Sequence, residues 1–330
     1  MKTVVIGSGS WGTALAQVLL DNKQECIVYG RDLDEVVDIH LYHQNSKYFP
    51  DVTLHPDLDA TRDIKVVADC DVVVLAVPTI AIEAVCKEIS PILKNRVIVI
   101  NTSKGFHPVT HKRMSEVISE SINAKKLLGI VSLLGPSHAE EVVQRLITSI
   151  NAVSYDEELA KKVQHMFANE YFRVYYSTDV IGSEIAASIK NIIALGSGIA
   201  EGLGLGDNAK AALMTRGLVE MKYYGMLHGA QESTFAGLSG IGDLIVTCTS
   251  KHSRNFQAGY QIGCANSAAV FWENNVKTVE GVRTCEAVYL EAKKEGIVMP
   301  ITEAIYKVLY ENGVPSECVT NLMTRDLKRE

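Results

Sequence analysis

The opening of the chain constrains its fold more than any other stretch. Val4-Val5-Ile6 reads as a short apolar strand, and Gly7-Ser8-Gly9-Ser10-Trp11-Gly12 follows at once, ahead of an alanine- and leucine-rich helical pattern. In G-x-G-x-x-G the first glycine permits a tight strand-to-helix turn. The second lets a pyrophosphate approach the backbone, and the third lets helix and strand pack closely. The helix behind the turn presents unpaired N–H groups and about half a positive charge at its N-terminus. A strand followed directly by a helix in this way belongs to a parallel sheet covered by helices.

The rest of the first half supplies the alternation such a sheet needs. Strands are expected over 3–6, 26–29, 71–77, 96–100, 129–134, 148–153 and 172–176, with helices near 12–22, 33–43, 79–89, 110–122, 138–146 and 156–168. The run from Val72 to Val77 is apolar on both faces, as a strand buried between two helical layers would be. After Ser177-Thr178-Asp179 the strand signals nearly stop. Asp179 suits an N-cap, and helical patterns follow near 181–201, 208–228, 254–262, 283–295 and 301–311. The expected architecture is α/β: an N-terminal Rossmann-type parallel-sheet domain over 1–180, then a mostly α-helical domain over 181–330.

Composition narrows the function classes. The 330 residues are 47% hydrophobic and 22% charged, with a mean hydropathy of +0.09, which excludes a largely disordered chain. A net charge of -7 argues against a general nucleic-acid binder. Seven cysteines, an odd number without a CxxC pair, point to a reducing, cytoplasmic setting. The histidines form no HExxH or other close ligand pair, so no metal is expected. No uninterrupted apolar run reaches the ~18 residues of a membrane span, and the N-terminus is too short for a signal-peptide core.

Ligands of an open parallel sheet bind beyond the carboxyl ends of its strands, so the residues there are the candidates. The second strand ends in Tyr29-Gly30-Arg31-Asp32. Arg31 suits the 2′-phosphate of NADP(H), which is favoured, while Asp32 leaves NAD(H) possible through the ribose hydroxyl. Later strands lead into Pro78-Thr79, Asn101-Thr102-Ser103-Lys104-Gly105-Phe106 and Gly135-Pro136-Ser137, where Lys104 is the one cation. Lys190 stands in the middle of the 181–201 helix with Ala186, Ala187, Ile193 and Ala194 one turn away. A long cation among small residues, in a helix with almost no other charge, is poorly explained as a solvated face. Gly237-Leu238-Ser239-Gly240-Ile241-Gly242-Asp243 reads as a tight loop presenting one carboxylate. Ser253-Arg254-Asn255 opens a helix whose N-terminus and donors suit a phosphate.

Taken in order, GSGSWGTALA, NTSKGF, GPSHAEEV, SIKNIIALGSGIAEGLGLGDNAKAALMTRGL, GLSGIGDLIVTCTS with SRN, and VEGVRT resemble the NAD(P)-dependent sn-glycerol-3-phosphate dehydrogenases of bacterial type. The likeness runs from the first residues to about 285. It implies interconversion of dihydroxyacetone phosphate and sn-glycerol 3-phosphate, supply of glycerol phosphate for phospholipids, and a homodimer. It further implies Lys190 as proton donor and acceptor at the carbinol, and Lys104 on both substrate and cofactor. Gly135, Ser137, Asp243, Ser253 and Asn255 would contact substrate, and Arg254 the substrate phosphate and the cofactor. Ser10, Trp11, Arg31, Ala139 and Glu280 would join Gly7, Gly9 and Gly12 on the dinucleotide. Two other readings share the glycine turn: a β-hydroxyacid or 6-phosphogluconate type dehydrogenase, and a non-catalytic NAD(P)H-binding sensor. The block from Asp243 to Asn255 argues against the first. A sensor has no need for Lys104, Lys190 and Arg254 together.

Overall fold

A computed structural model describes residues 1–274, 279–327 and 329. The chain divides into two units, Met1–His107 with Lys112–Val180, and Ile181–Glu330 with Pro108–His111.

In the first unit eight strands form one sheet: β1 Lys2–Ile6, β2 Glu25–Tyr29, β3 Asp59–Thr61, β4 Val72–Leu75, β5 Val97–Asn101, β6 Leu127–Leu134, β7 Thr148–Val153 and β8 Phe172–Ser177. Their order is β3-β2-β1-β4-β5-β6-β7-β8. The chain reverses direction of travel across the sheet between β1 and β4, the place where open sheets take their ligands. Helices α1 Ser10–Asp21, α2 Leu33–Tyr42, α5 Ala139–Val142 and α6 Glu157–Phe167 supply apolar residues to one core; α3 Thr79–Ile89 and α4 Met114–Ser121 supply a second. Side chains alternate across a strand, so Val5 and Val74 enter the first core while Val4 and Val73 enter the second.

The sheet differs from expectation in two ways, and the helix expected near 138–146 is only the four-residue α5. The sheet is not wholly parallel: Leu133 on β6 faces Ala152 on an antiparallel β7, whereas β7 and β8 run parallel. A parallel crossover needs a dozen or more residues, usually with a helix long enough to cross the sheet. The single-turn α5 is too short for that, and β7 starts from the end at which β6 stopped. The other difference is β3, a polar three-residue edge strand with no apolar alternation to betray it.

The second unit is helical: α7 Val180–Gly202, α8 Gly206–Leu227, α9 Glu232–Phe235, α10 Asp243–Thr249, α11 Arg254–Ala265, α12 Ala269–Asn274, α13 Glu280–Glu295, α14 Pro300–Tyr310 and α15 Pro315–Met323. By length and composition α7 could cross a membrane, contrary to the expectation from uninterrupted runs, but 89% of its most apolar stretch is buried and it is read as a core helix. It meets α11 at a glycine crossing. A Cβ at Gly198 would lie 2.1 Å from the Phe256 carbonyl oxygen, and one at Gly259 2.1 Å from that of Leu195. Gly202 and Gly263 repeat the arrangement one turn further on, at 2.4 Å from Tyr260 and Ile199 oxygens. Main chain therefore packs on main chain, a spacing that any larger residue would open.

Candidate active site

The glycine turn has the form its sequence predicts, and each glycine has a separate reason. Gly7 holds φ at +123°, and a Cβ there would fall 2.4 Å from the Ala76 carbonyl oxygen. At Gly12 a Cβ would strike the Gly7 carbonyl oxygen at 2.0 Å. Gly9 is different: an added Cβ meets only the Tyr48 hydroxyl, at 4.0 Å. Protein packing does not require glycine at that position, so the space is available to a ligand. Helix α1 starts at Ser10 and Trp11 with Gly9 as its N-cap, without a side-chain cap or an acidic residue in its first turn. Its N–H groups and dipole suit a pyrophosphate, so the turn fits a dinucleotide.

At the end of β2, Arg31 has a side chain 71% exposed and lies 3.5 Å from Glu88. Asp32, the residue through which NAD(H) was expected to be tolerated, is partly engaged by the protein itself. Its Oδ1 accepts the N–H groups of Asp34 and Glu35 at 3.0 and 3.3 Å and caps α2. The Glu35 N–H, then that of Asp34 and the Lys47 ammonium, hold this carboxyl below the usual range despite some desolvation.

Sequence reasoning missed the group that fastens this corner. Ser8 Oγ donates to Glu35 Oε2 at 2.5 Å, while Lys47 Nζ and the Tyr48 hydroxyl donate to Glu35 Oε1 at 2.6 and 3.2 Å. Fully buried Asn45 donates from Nδ2 to the Ser8 carbonyl oxygen at 2.8 Å. The only signal was polar residues in the loop after α2, which resemble ordinary loop composition.

Farther along the sheet, the loop after β5 is tied to the neighbouring strand ends. Thr102 Oγ1 donates to the Leu75 carbonyl oxygen, Ser103 Oγ to that of Val77, and Asn101 Nδ2 to Ser132 Oγ. This delivers Lys104, whose Nζ donates to the Gly135 carbonyl oxygen at 2.8 Å; Ser137 Oγ donates to the same oxygen at 3.1 Å. Gly135 holds φ at +148°, against the Ile150 Cα. Lys104, Gly135 and Ser137 thus gather at one place, with Ala139 at the start of α5 just beyond.

In the second unit Lys190 is 3% exposed and forms an ion pair with Asp243, itself 1% exposed. Lys190 Nζ also donates to Thr247 Oγ1 at 2.8 Å, and that hydroxyl donates to the Asp243 carbonyl oxygen at 2.6 Å. Asp243 is not held out by a loop as expected. The residues from Leu238 to Gly242 form a wide helical turn that runs into α10, and Asp243 is the first residue of that helix. Flanking glycines read as loop punctuation, but Gly240 serves a close approach: a Cβ there would lie 2.2 Å from the Phe235 carbonyl oxygen.

Ser253 caps α11 by accepting the Phe256 N–H at 3.2 Å, and the exposed Arg254 begins the helix. Asn255 is more committed to the protein than expected. It donates to Asn191 Oδ1 at 2.9 Å and accepts the Gly281 N–H at 2.9 Å, joining α7, α11 and the start of α13, where Glu280 stands. A cavity of about 1410 Å³ along α8, α14 and α15 is lined by none of these residues.

The chain matches two family models along most of its length. Residues 2–160 match the N-terminus of NAD-dependent glycerol-3-phosphate dehydrogenase, and residues 179–320 match its C-terminus. It is 49% identical over 330 residues to glycerol-3-phosphate dehydrogenase [NAD(P)+] of Enterococcus faecalis, covering 100% of this chain and 97% of that protein. A Listeria monocytogenes protein of the same name is 48% identical over 331 residues, covering 100% and 98%. The crystal structure of glycerol-3-phosphate dehydrogenase from Coxiella burnetii superposes with a TM-score of 0.91 at 31% identity, covering 98% of this chain and 99% of that one. The chain belongs to the NAD-dependent glycerol-3-phosphate dehydrogenase family.

Proposed function

We propose that the chain catalyses the reversible reduction of dihydroxyacetone phosphate to sn-glycerol 3-phosphate, with NADPH favoured and NADH tolerated as hydride source. Family membership supports the reaction, and the buried Lys190–Asp243–Thr247 cluster is the observation that carries its chemistry. When bound, the reduced nicotinamide supplies a hydride to the carbonyl carbon. Negative charge then develops on the carbonyl oxygen, and the Lys190 ammonium stabilises it and gives up a proton to it. Asp243 balances that ammonium in a site shielded from water, and Thr247 fixes the direction of the Nζ atom. In the reverse direction Lys190 takes the carbinol proton.

Lys104, Gly135 and Ser137 bind the substrate, Lys104 also reaching the cofactor. Ser253, Arg254 and Asn255 hold the substrate phosphate at the N-terminus of α11, where the helix dipole assists the guanidinium. The glycine turn, Ser10, Trp11, Arg31, Ala139, Arg254 and Glu280 hold the dinucleotide. No metal takes part in this scheme. The test is NADPH oxidation with dihydroxyacetone phosphate, repeated with NADH and with 2-keto acids. Preference for a keto acid, or no oxidation with any ketose phosphate, would overturn the reading. We further place the activity in the cytoplasm, in phospholipid precursor supply, and in a homodimer; a light-scattering mass near that of a single 36.1 kDa chain would refute the dimer.

A further inference from the structure

The loop after α2 is clipped onto the glycine turn by the Asn45 and Glu35 hydrogen bonds already described, and this fixes where Lys47 stands. Its ammonium lies 2.6 Å from Glu35 Oε1 and 3.5 Å from Asp32 Oδ2. Asp32 immediately follows Gly30 and Arg31 at the end of β2, the position from which this kind of fold reads the 2′-substituent of the adenosine ribose. A carboxylate there would repel a 2′-phosphate. Here one of its oxygens is spent on the N–H groups of α2, and the other faces Lys47. The Glu35 carboxylate is occupied as well, by Ser8, Tyr48 and Lys47. The cations remain accessible: the Lys47 side chain is 57% exposed and that of Arg31 71%. The Asp32 and Glu35 carboxylates are thus engaged, while Lys47 and Arg31, the latter also beside Glu88, stay open to solvent.

We propose that Lys47 is a cofactor-selecting residue whose ammonium, together with Arg31, binds the 2′-phosphate of NADPH. This rests on the reading of NADPH as the favoured cofactor. Glu35 acts here as a positioning residue, because it holds Lys47 against the turn.

The experiment compares wild type with Lys47→Met, which keeps an unbranched stem, and with Lys47→Arg. Steady-state kinetics with dihydroxyacetone phosphate give kcat/KM for NADPH and for NADH at one ionic strength. Independently, adenosine 2′,5′-bisphosphate and AMP are tested as competitive inhibitors. Loss of one charge-assisted contact should lower the NADPH-to-NADH ratio of kcat/KM by roughly tenfold through KM, and weaken the bisphosphate relative to AMP by about the same factor. Lys47→Arg should retain most of both. An unchanged ratio, or equal losses with both cofactors and both inhibitors, would overturn the role of Lys47 while leaving the preference for NADPH standing. A wild-type kcat/KM for NADH equal to or above that for NADPH would instead remove the cofactor reading, and the proposal with it.

Discussion

At the residue scale the buried Lys190 ammonium is compensated by the Asp243 carboxylate and aimed by the Thr247 hydroxyl. Lys190→Ala should lower kcat by about 10²–10⁴-fold, the usual contribution of a positioned proton donor. NADPH affinity, read by fluorescence titration, should hardly move; near-normal turnover would remove Lys190 from the chemistry. Asp243→Asn strands the buried ammonium and should cost about 3–5 kcal/mol in denaturant unfolding. Thr247→Val removes a hydrogen bond at nearly constant volume, with a smaller loss of about 1 kcal/mol. Equal stability for the two variants would contradict the ion pair. Lys190 was legible in the sequence because it is a long cation among alanines. Its partners were not, since Thr247 lies 57 positions away and no local periodicity encodes which distant polar groups will meet.

At the scale of elements, runs such as Val97-Ile98-Val99-Ile100 reveal themselves because a strand covered on both faces must be apolar throughout. The direction of β7 was illegible, being decided by how far α5 extends rather than by the strand's own residues. The helical start of α10 was hidden by glycines chosen for close packing. Gly198→Ala should therefore destabilise more than a helical Gly→Ala change ordinarily would, by about 1–3 kcal/mol in urea unfolding, because the α7–α11 crossing must open. Glu220 on α8 caps α14 by accepting the Ile301 and Thr302 N–H groups at 2.6 and 3.2 Å. Burial pushes its carboxyl up to about 7, against the pull of those N–H groups and Arg325. The folded state then holds a proton that the unfolded chain has released, so this group's contribution to stability is full below the ordinary glutamate range and falls as pH rises to about 7. Melting temperature should show that decline in wild type and lose it in Glu220→Gln; an identical pH profile for both would refute it.

At the scale of the whole molecule, every cysteine is a free thiol, and five of the seven are buried: Cys26, Cys70, Cys86, Cys248 and Cys285. Burial pushes the thiols of Cys26, Cys70, Cys86 and Cys248 up to about 12, so they are protonated and unreactive in the folded state. A chromogenic thiol titration should label Cys264 first, Cys318 more slowly, and the other five only after unfolding; rapid labelling of more than these two in native protein would contradict the packing. The division of the molecule into a sheet unit and a helical unit was visible as the point where β-branched runs cease, while the fastening of the loop after α2 was not, since it depends on contacts among ordinary polar residues. The glycine crossing also bears on how readily such a chain could change its substrate. Where two helices touch through carbonyl oxygens there is no layer of side chains to trim or swell, so the gap from the proposed proton donor on one to the proposed anion-binding end of the other behaves like a caliper locked at one setting. Ligands with a longer carbon skeleton would have to be admitted by replacing the residues around that setting, because the jaws themselves have no play.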